Sequence, residues 1–312
     1  MPFLKNGAPR FLLFLLCFLA TFNITSGQDI KSIGVPYIQN YSKGTYLSGN
    51  QNWSIAKSKN GVMNFGNAQG LLTFDGNYWR QYEMPNRQIV RAVATDESGK
   101  VYTGSYGDFG YWSVERNRLS YTSLKSLIPG KNPLTSEVWK IYPDGDRILF
   151  QSFSDIYIYK DNRITVVKAP GSYLFLHQIN NRFIAEVLGK GLYELKGDKL
   201  SALKNEGSLL PADVLSILPY KDGKLLIGTR KNALYLYDGK TYESFATQAS
   251  TFLKAYQLNN GTRILNKYYA YGTILNGIII IDEDGRIVQQ INKSSGLQNN
   301  TVLSLHIDQE QN

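Results

Sequence analysis

Residues 214–245 read VLSILPYKDGKLLIGTRKNALYLYDGKTYESF. Four short runs stand out in it: Val214 to Leu218, Leu225 to Thr229, Ala233 to Tyr237 and Thr241 to Phe245. Branched and aromatic residues alternating with period two make strands with one face buried between stacked sheets. Between the runs, Asp222-Gly223 and Asp238-Gly239 are hairpin signals, because glycine accepts the positive φ of a tight turn.

The same unit recurs along the chain. First strands are expected near Trp53, Val90, Val138, Leu174, Val214 and Leu253, at intervals of roughly 40 residues, the blade period of a β-propeller. One blade runs from Trp53 through Met63 to Phe65 and Leu71 to Phe74, ending at Trp79 and Tyr82; another spans Tyr173 to Lys204. Asp75-Gly76, Asp144-Gly145 and Asp284-Gly285 repeat the turn signal. The 22 tyrosines and four tryptophans suit wedge-shaped gaps between blades, with ring bodies inside and polar tips at the rim. No helix of useful length is expected after the N-terminal segment, and the stretch from Lys267 to Ala270 is expected to be a loop on one face. Gly296 to Leu305 reads as the inner strand of a further blade without its other three strands. The expected fold is therefore all-β: a propeller of the seven-bladed type with its last blade incomplete, six full blades plus one inner strand. Such a blade leaves an open edge, so the chain is expected to be a shortened piece of a longer protein.

The N-terminus reads as an export signal. Lys5 and Arg10 precede the apolar run Phe11 to Phe22, and Thr25-Ser26-Gly27 follows it. The run has roughly 12 residues against the ~20 of a membrane-spanning helix, so residues 1–27 are expected to be a cleaved signal peptide and 28–312 a periplasmic domain. Cys17, the only cysteine, falls in the signal, which leaves no disulfide and no thiolate metal site. Removing Lys5 and Arg10 lowers the formal charge from +9 to about +7. The remaining basic residues form no run, and nucleic acid is not an expected partner.

Further stretches carry a family resemblance: Ile33-Gly34-Val35-Pro36, Asn40-Tyr41, Tyr46, Gly49 to Trp53, Gly70 to Gly76 with Trp79, Met84-Pro85-Asn86, Val90-Arg91 and Tyr106 to Tyr111. Gly272 to Gly277 and Gly296 to Leu305 add to them. In this ordered set the chain resembles the periplasmic sensor region of Bacteroidetes hybrid two-component and LuxR-type regulators, the propeller-repeat, triple-tyrosine family. The resemblance implies an export signal and seven-bladed propellers, then a small β-sandwich, one transmembrane helix and a cytoplasmic output module. No sandwich, kinase or DNA-binding segment is present in these residues, so output belongs to a longer parent, expected to be anchored in the inner membrane.

Residues that could carry chemistry are few. His177 and His306, the only histidines, are isolated in strand-like stretches and read as packing or surface residues, not ligands. Paired carboxylates are the more serious enzymatic case, since some propellers cleave glycosides. Asp108, Glu137, Asp155 and Glu186 are the candidates near strand starts, with Asp108 favoured as a turn residue bonded to backbone. Asp282-Glu283-Asp284-Gly285 reads as an acidic hairpin turn in preference to a calcium loop. Gln51, Asn52, Arg87 and Lys254 precede or adjoin inner strands and are candidates for ligand contact, or equally caps of strand ends. No catalytic, metal or cofactor residue is assigned, and the ligand-binding residues are left open. The leading expectation is a non-enzymatic periplasmic sensor of an oligosaccharide, working with the C-terminal domains of its parent or as a homodimer. A glycan-acting propeller enzyme and a protein-interaction scaffold are the alternatives.

Overall fold

Six four-stranded antiparallel sheets, each with its strands in sequence order, make up the computed structural model, which describes residues 37–116, 118–130, 134–231 and 233–308. The expected signal peptide and the Ile33 to Pro36 stretch lie outside those residues. The inner strands are Asn52–Lys57, Ala92–Thr95, Val138–Asp144, Tyr173–Ile179, Val214–Pro219 and Leu258–Ile264. Each inner strand touches that of the next sheet along the chain, so the sheets follow one another as blades of a propeller. The glycines of all five expected Asp-Gly turns have positive φ.

Apolar clusters fill the spaces between consecutive blades. Phe109 of blade two packs on Phe150 of blade three with ring centroids 4.5 Å apart and planes tilted by 33°, both fully buried. Burying each such side chain contributes about 1.5–3 kcal/mol. A finer device recurs at the penultimate position of the second strand. Gly66, Gly104, Gly228 and Gly272 lie there, and an added Cβ would come within 3.2, 2.5, 2.6 and 2.6 Å of the side chains of Val90, Val138, Leu258 and Val302 respectively. The glycine thus makes room for the first apolar residue of the following blade or, at Gly272, for Val302 of the segment after blade six. Blades three and four carry Gln151 and Glu186 instead. These long polar side chains reach across and bond the next inner strand: Gln151 with Leu174 O and Leu176 N, Glu186 with the N–H groups of Asp213 and Val214.

The expectation of a seventh, incomplete blade is corrected to six blades. Residues 301–308 join no ladder, because no second strand among the described residues offers them backbone partners. The segment still sits beside blade six as each inner strand sits beside the blade before it. Val302 N–H donates to Thr273 O at 2.9 Å, and the amides of Asn259 and Asn260 donate to Val302 O at 2.8 and 3.1 Å. Asp308 then meets Lys57 Nζ of blade one at 2.9 Å. A second fastening comes from Asn40, whose side chain bonds both Gly296 O and Gln298 N. Its neighbour Tyr41 packs on Phe74 and Trp79 of blade one.

Two local expectations are also corrected. Gln248–Tyr256 is an α-helix, so the sixth inner strand begins at Leu258 and not at Leu253. Thr247 caps it by accepting from Ser250 N–H, and Ala249, Phe252, Leu253 and Tyr256 recur at helical spacing, with Ala249 and Leu253 fully buried. Tyr268 to Ala270 form part of the strand Tyr268–Thr273, not a loop; the extra length of this repeat is the helix.

Candidate functional site at the channel mouth

In an antiparallel blade the start of the inner strand and the turn between strands two and three lie at the same end. The ends of the six inner strands converge there around the central channel. Five of the six inner strands have a register irregularity just after their first paired residue. It inserts Trp53 in blade one, Trp139 in blade three, Leu174 and Phe175 in blade four, Leu215 in blade five and Asn259 in blade six. A bulge re-aims the side chain it carries. In blade two the residue ahead of the inner strand is Arg91, whose N–H donates to Gly104 O.

These residues assemble into a platform. The Trp53 and Trp139 ring centroids are 6.1 Å apart, with planes at 85°. The Arg91 guanidinium lies 4.1 Å from one ring and 4.9 Å from the other, and its Nε donates to Glu137 Oε1 at 3.0 Å. The row continues through Phe153 and Phe175, 5.7 and 6.0 Å from Trp139, with Lys140 Nζ 5.2 Å from the Phe175 centroid. All four aromatic rings are partly exposed.

Below the mouth, a channel cavity of about 380 Å³ touches all six blades and Leu303 to Leu305. Lys140 and His177 line it, and no carboxylate does. His177 is 8% exposed and its Nε2 has no hydrogen-bond partner. Burial, then the charge of Lys140, pulls the imidazole down to about 3, with the Val214 backbone opposing. Burial likewise lowers Lys140. The arrangement can stack on a flat apolar face and hold polar groups; it offers no pair of free acids for proton transfer.

The four candidate acids have structural partners. Asp108 accepts from Ser123 Oγ at 2.6 Å, Asp155 from Tyr157 OH at 3.2 Å, and Glu137 is paired with Arg91. Glu186 is buried behind the inner strand of blade five, where burial raises its carboxyl and two backbone N–H groups oppose that shift. Of the residues that precede or adjoin inner strands, Asn52 accepts from Asn67 Nδ2, and Arg87 is exposed beside Glu83. Gln51 is exposed, and Lys254 lies exposed on the helix. The Asn52 side chain is thus tied to the second strand of its own blade. His306 is partly buried next to the Lys57–Asp308 pair. Asp282 turns back to accept from Asp284 and Arg286 N–H, as an acidic hairpin does. Among the described residues no cluster of three metal-ligating side chains occurs, and no helix is long and apolar enough to cross a membrane.

Neither alternation nor turn chemistry marks out Trp53, Arg91, Trp139, Phe153 and Phe175 as site residues. One signal does reach three of them. Trp53, Arg91 and Trp139 each follow directly on Asn52, Val90 and Val138, and so hold the same place in consecutive repeats.

No family model and no curated protein matches this chain. Solved propellers do. The extracellular domain of a B. thetaiotaomicron protein, called a putative one-component system in one structure and a putative hybrid two-component system in another, is similar with TM-score 0.64 and 16% identity in both. The alignments cover 88% and 85% of this chain but only 37% and 36% of that one, so this chain spans about a third of its length. The WD40 propeller domain of Doa1 is similar at TM-score 0.62 and 12% identity, over 84% of this chain and 88% of that domain. Virginiamycin B lyase from Staphylococcus aureus follows at TM-score 0.59 and 14% identity, over 78% and 86%. At these identities the likeness is one of fold: a β-propeller, as in an extracellular domain of a putative one- or two-component system, a WD40 domain and a lyase.

Proposed function

We propose that this chain is the ligand-sensing propeller of an exported signalling protein and that it reads a glycan-derived signal at the channel mouth. The observation that carries the proposal is the Trp53–Arg91–Trp139 platform. Aromatic faces stack on the apolar face of a sugar ring, while neighbouring polar groups bond its hydroxyls. The fold likeness to an extracellular sensor domain supports the same reading. Periplasmic location, a membrane-anchored parent and transcriptional output belong to this proposal as its cellular context. Signalling would proceed by population shift, the ligand favouring one arrangement of domains by its difference in affinity between the two. The test is calorimetry of the chain against a panel of oligosaccharides, repeated with Trp53→Ala and Trp139→Ala. Saturable heat lost in both variants is expected; a panel without heat or thermal stabilisation overturns the reading.

A second reading is favoured by a different observation. Tyr106, Leu188, Leu209, Leu210 and Leu275 are large, exposed and apolar. All belong to turns between second and third strands or to the link between blades four and five, hence to the mouth face. Such side chains suit docking of a protein surface. Pull-down of a stable partner, independent of any small molecule and lost in Leu209→Ser/Leu210→Ser, would favour this scaffold role.

A further inference from the structure

The four rings at the channel mouth are not spread evenly round it. Trp53 belongs to blade one, Trp139 and Phe153 to blade three and Phe175 to blade four. Blades five and six carry Leu215 and Asn259 at the equivalent bulges. The aromatic surface is therefore an arc along one side of the mouth.

The rings also fall into an order. Trp139 lies 6.1 Å from Trp53, 5.7 Å from Phe153 and 6.0 Å from Phe175. The two phenylalanines are 6.2 Å apart, and neither makes a ring contact with Trp53. The arc thus has three stations in sequence: Trp53, then Trp139, then the phenylalanine pair. Each step from Trp139, 5.7 to 6.1 Å between centroids, is close to the advance of one sugar unit along an extended chain. A cation lies beside every station: Arg91 is 4.1 and 4.9 Å from the Trp53 and Trp139 centroids, and Lys140 Nζ is 5.2 Å from that of Phe175. Rings in a row reward a chain over a single sugar. Once one unit is held, the next reaches its own ring without a new loss of translational freedom.

We infer that the mouth reads a linear glycan by its length, holding three consecutive sugar units along the arc from Trp53 through Trp139 to the Phe153–Phe175 pair. This rests on the glycan reading of the mouth and narrows it from saccharides in general to extended chains of at least three units. The phenylalanine pair is the station that distinguishes a trimer from a dimer.

The experiment is titration calorimetry of the full chain with β-1,4-linked ladders running from monomer to pentamer, built of glucose, xylose, mannose or N-acetylglucosamine. In a ladder that binds, affinity should rise about fivefold or more per unit up to the trimer and less than about twofold beyond it. Phe153→Ala/Phe175→Ala should bring the trimer down to the level of the dimer and leave the dimer within about twofold. Phe153→Tyr/Phe175→Tyr keeps both rings and should restore the trimer, which separates a lost station from lost folding. Equal affinity for monomer and trimer overturns the inference and leaves the glycan reading in place. Affinity that goes on rising to the pentamer, or a trimer preference that survives Phe153→Ala/Phe175→Ala, overturns the three-station arc. Absence of heat from every ladder overturns the inference, and the broader oligosaccharide panel then decides the glycan reading separately.

Discussion

The Arg91 guanidinium lies 4.1 Å from the centre of the Trp53 ring, so a residue ahead of blade two braces the bulge of blade one. Its Nε–H is taken by Glu137, and its side chain is only 15% exposed. Arg91→Ala removes a partly desolvated cation–π contact and leaves Glu137 without a partner, and it should cost about 2–3 kcal/mol. Arg91→Lys keeps the charge but loses the planar stack and should cost about 1 kcal/mol. Urea denaturation of both variants checks the order; equal costs would show that charge without the planar stack contributes nothing, and a costless Arg91→Lys that stacking contributes nothing.

Glu186 occupies the place that four other blades give to glycine. Its two oxygens accept from Asp213 and Val214 N–H at 3.1 and 2.6 Å and tie blade four to blade five. Glu186→Ala strands both donors in the interior and should cost about 2–4 kcal/mol. Glu186→Gln retains one acceptor oxygen and should cost about half as much. Denaturation midpoints decide the matter, and a neutral Glu186→Ala would show that the two N–H groups find other partners.

The repeat is legible in the sequence because alternation and Asp-Gly turns are local signals, used again in blade after blade. The helix Gln248–Tyr256 is not, because it is only nine residues long and sits where the repeat spacing puts the sixth inner strand. Residues 301–308 mislead for another reason. They match the inner-strand pattern, and the other three strands of the blade are missing from the sequence reading too, but a strand exists only by pairing and no described segment pairs with them. The channel mouth is hidden by bulges: one inserted residue turns Trp53 and Trp139 away from the register that strict alternation gives them. The acids read as catalytic candidates because sequence displays the carboxylate and hides the groups that occupy it, as the two backbone N–H groups occupy Glu186.

His177 makes stability depend on pH in a stated direction. The unfolded imidazole titrates near its ordinary value of 6.5, whereas burial beside Lys140 holds the folded one down to about 3. Below 6.5 the unfolded chain therefore binds the extra proton and the folded chain does not. The contribution is present above pH 6.5 and is lost as pH falls toward 3. A single group of this kind removes about 2 kcal/mol between pH 7 and pH 5. His177→Gln should flatten that part of the profile, measured as denaturant midpoints at the two pH values. An unchanged slope would place the imidazole in contact with solvent.

Gly272 and Val302 test how firmly segment 301–308 completes the ring. A Cβ on Gly272 would come within 2.6 Å of Val302 Cγ1 and 2.8 Å of Asn260 Oδ1, so Gly272→Ala overpacks the contact and should cost about 1–3 kcal/mol. Val302→Ala removes the methyl groups in the way and should cost about 1 kcal/mol alone. Together the two changes relieve each other, and the double variant should be more stable than the sum of the single costs by about 1 kcal/mol. Additive costs would mean that the segment moves aside instead of being packed on blade six. In that case Gly272→Ala should also speed proteolytic cleavage between Gly296 and Asp308. With the segment packed as found, cleavage there should track global unfolding.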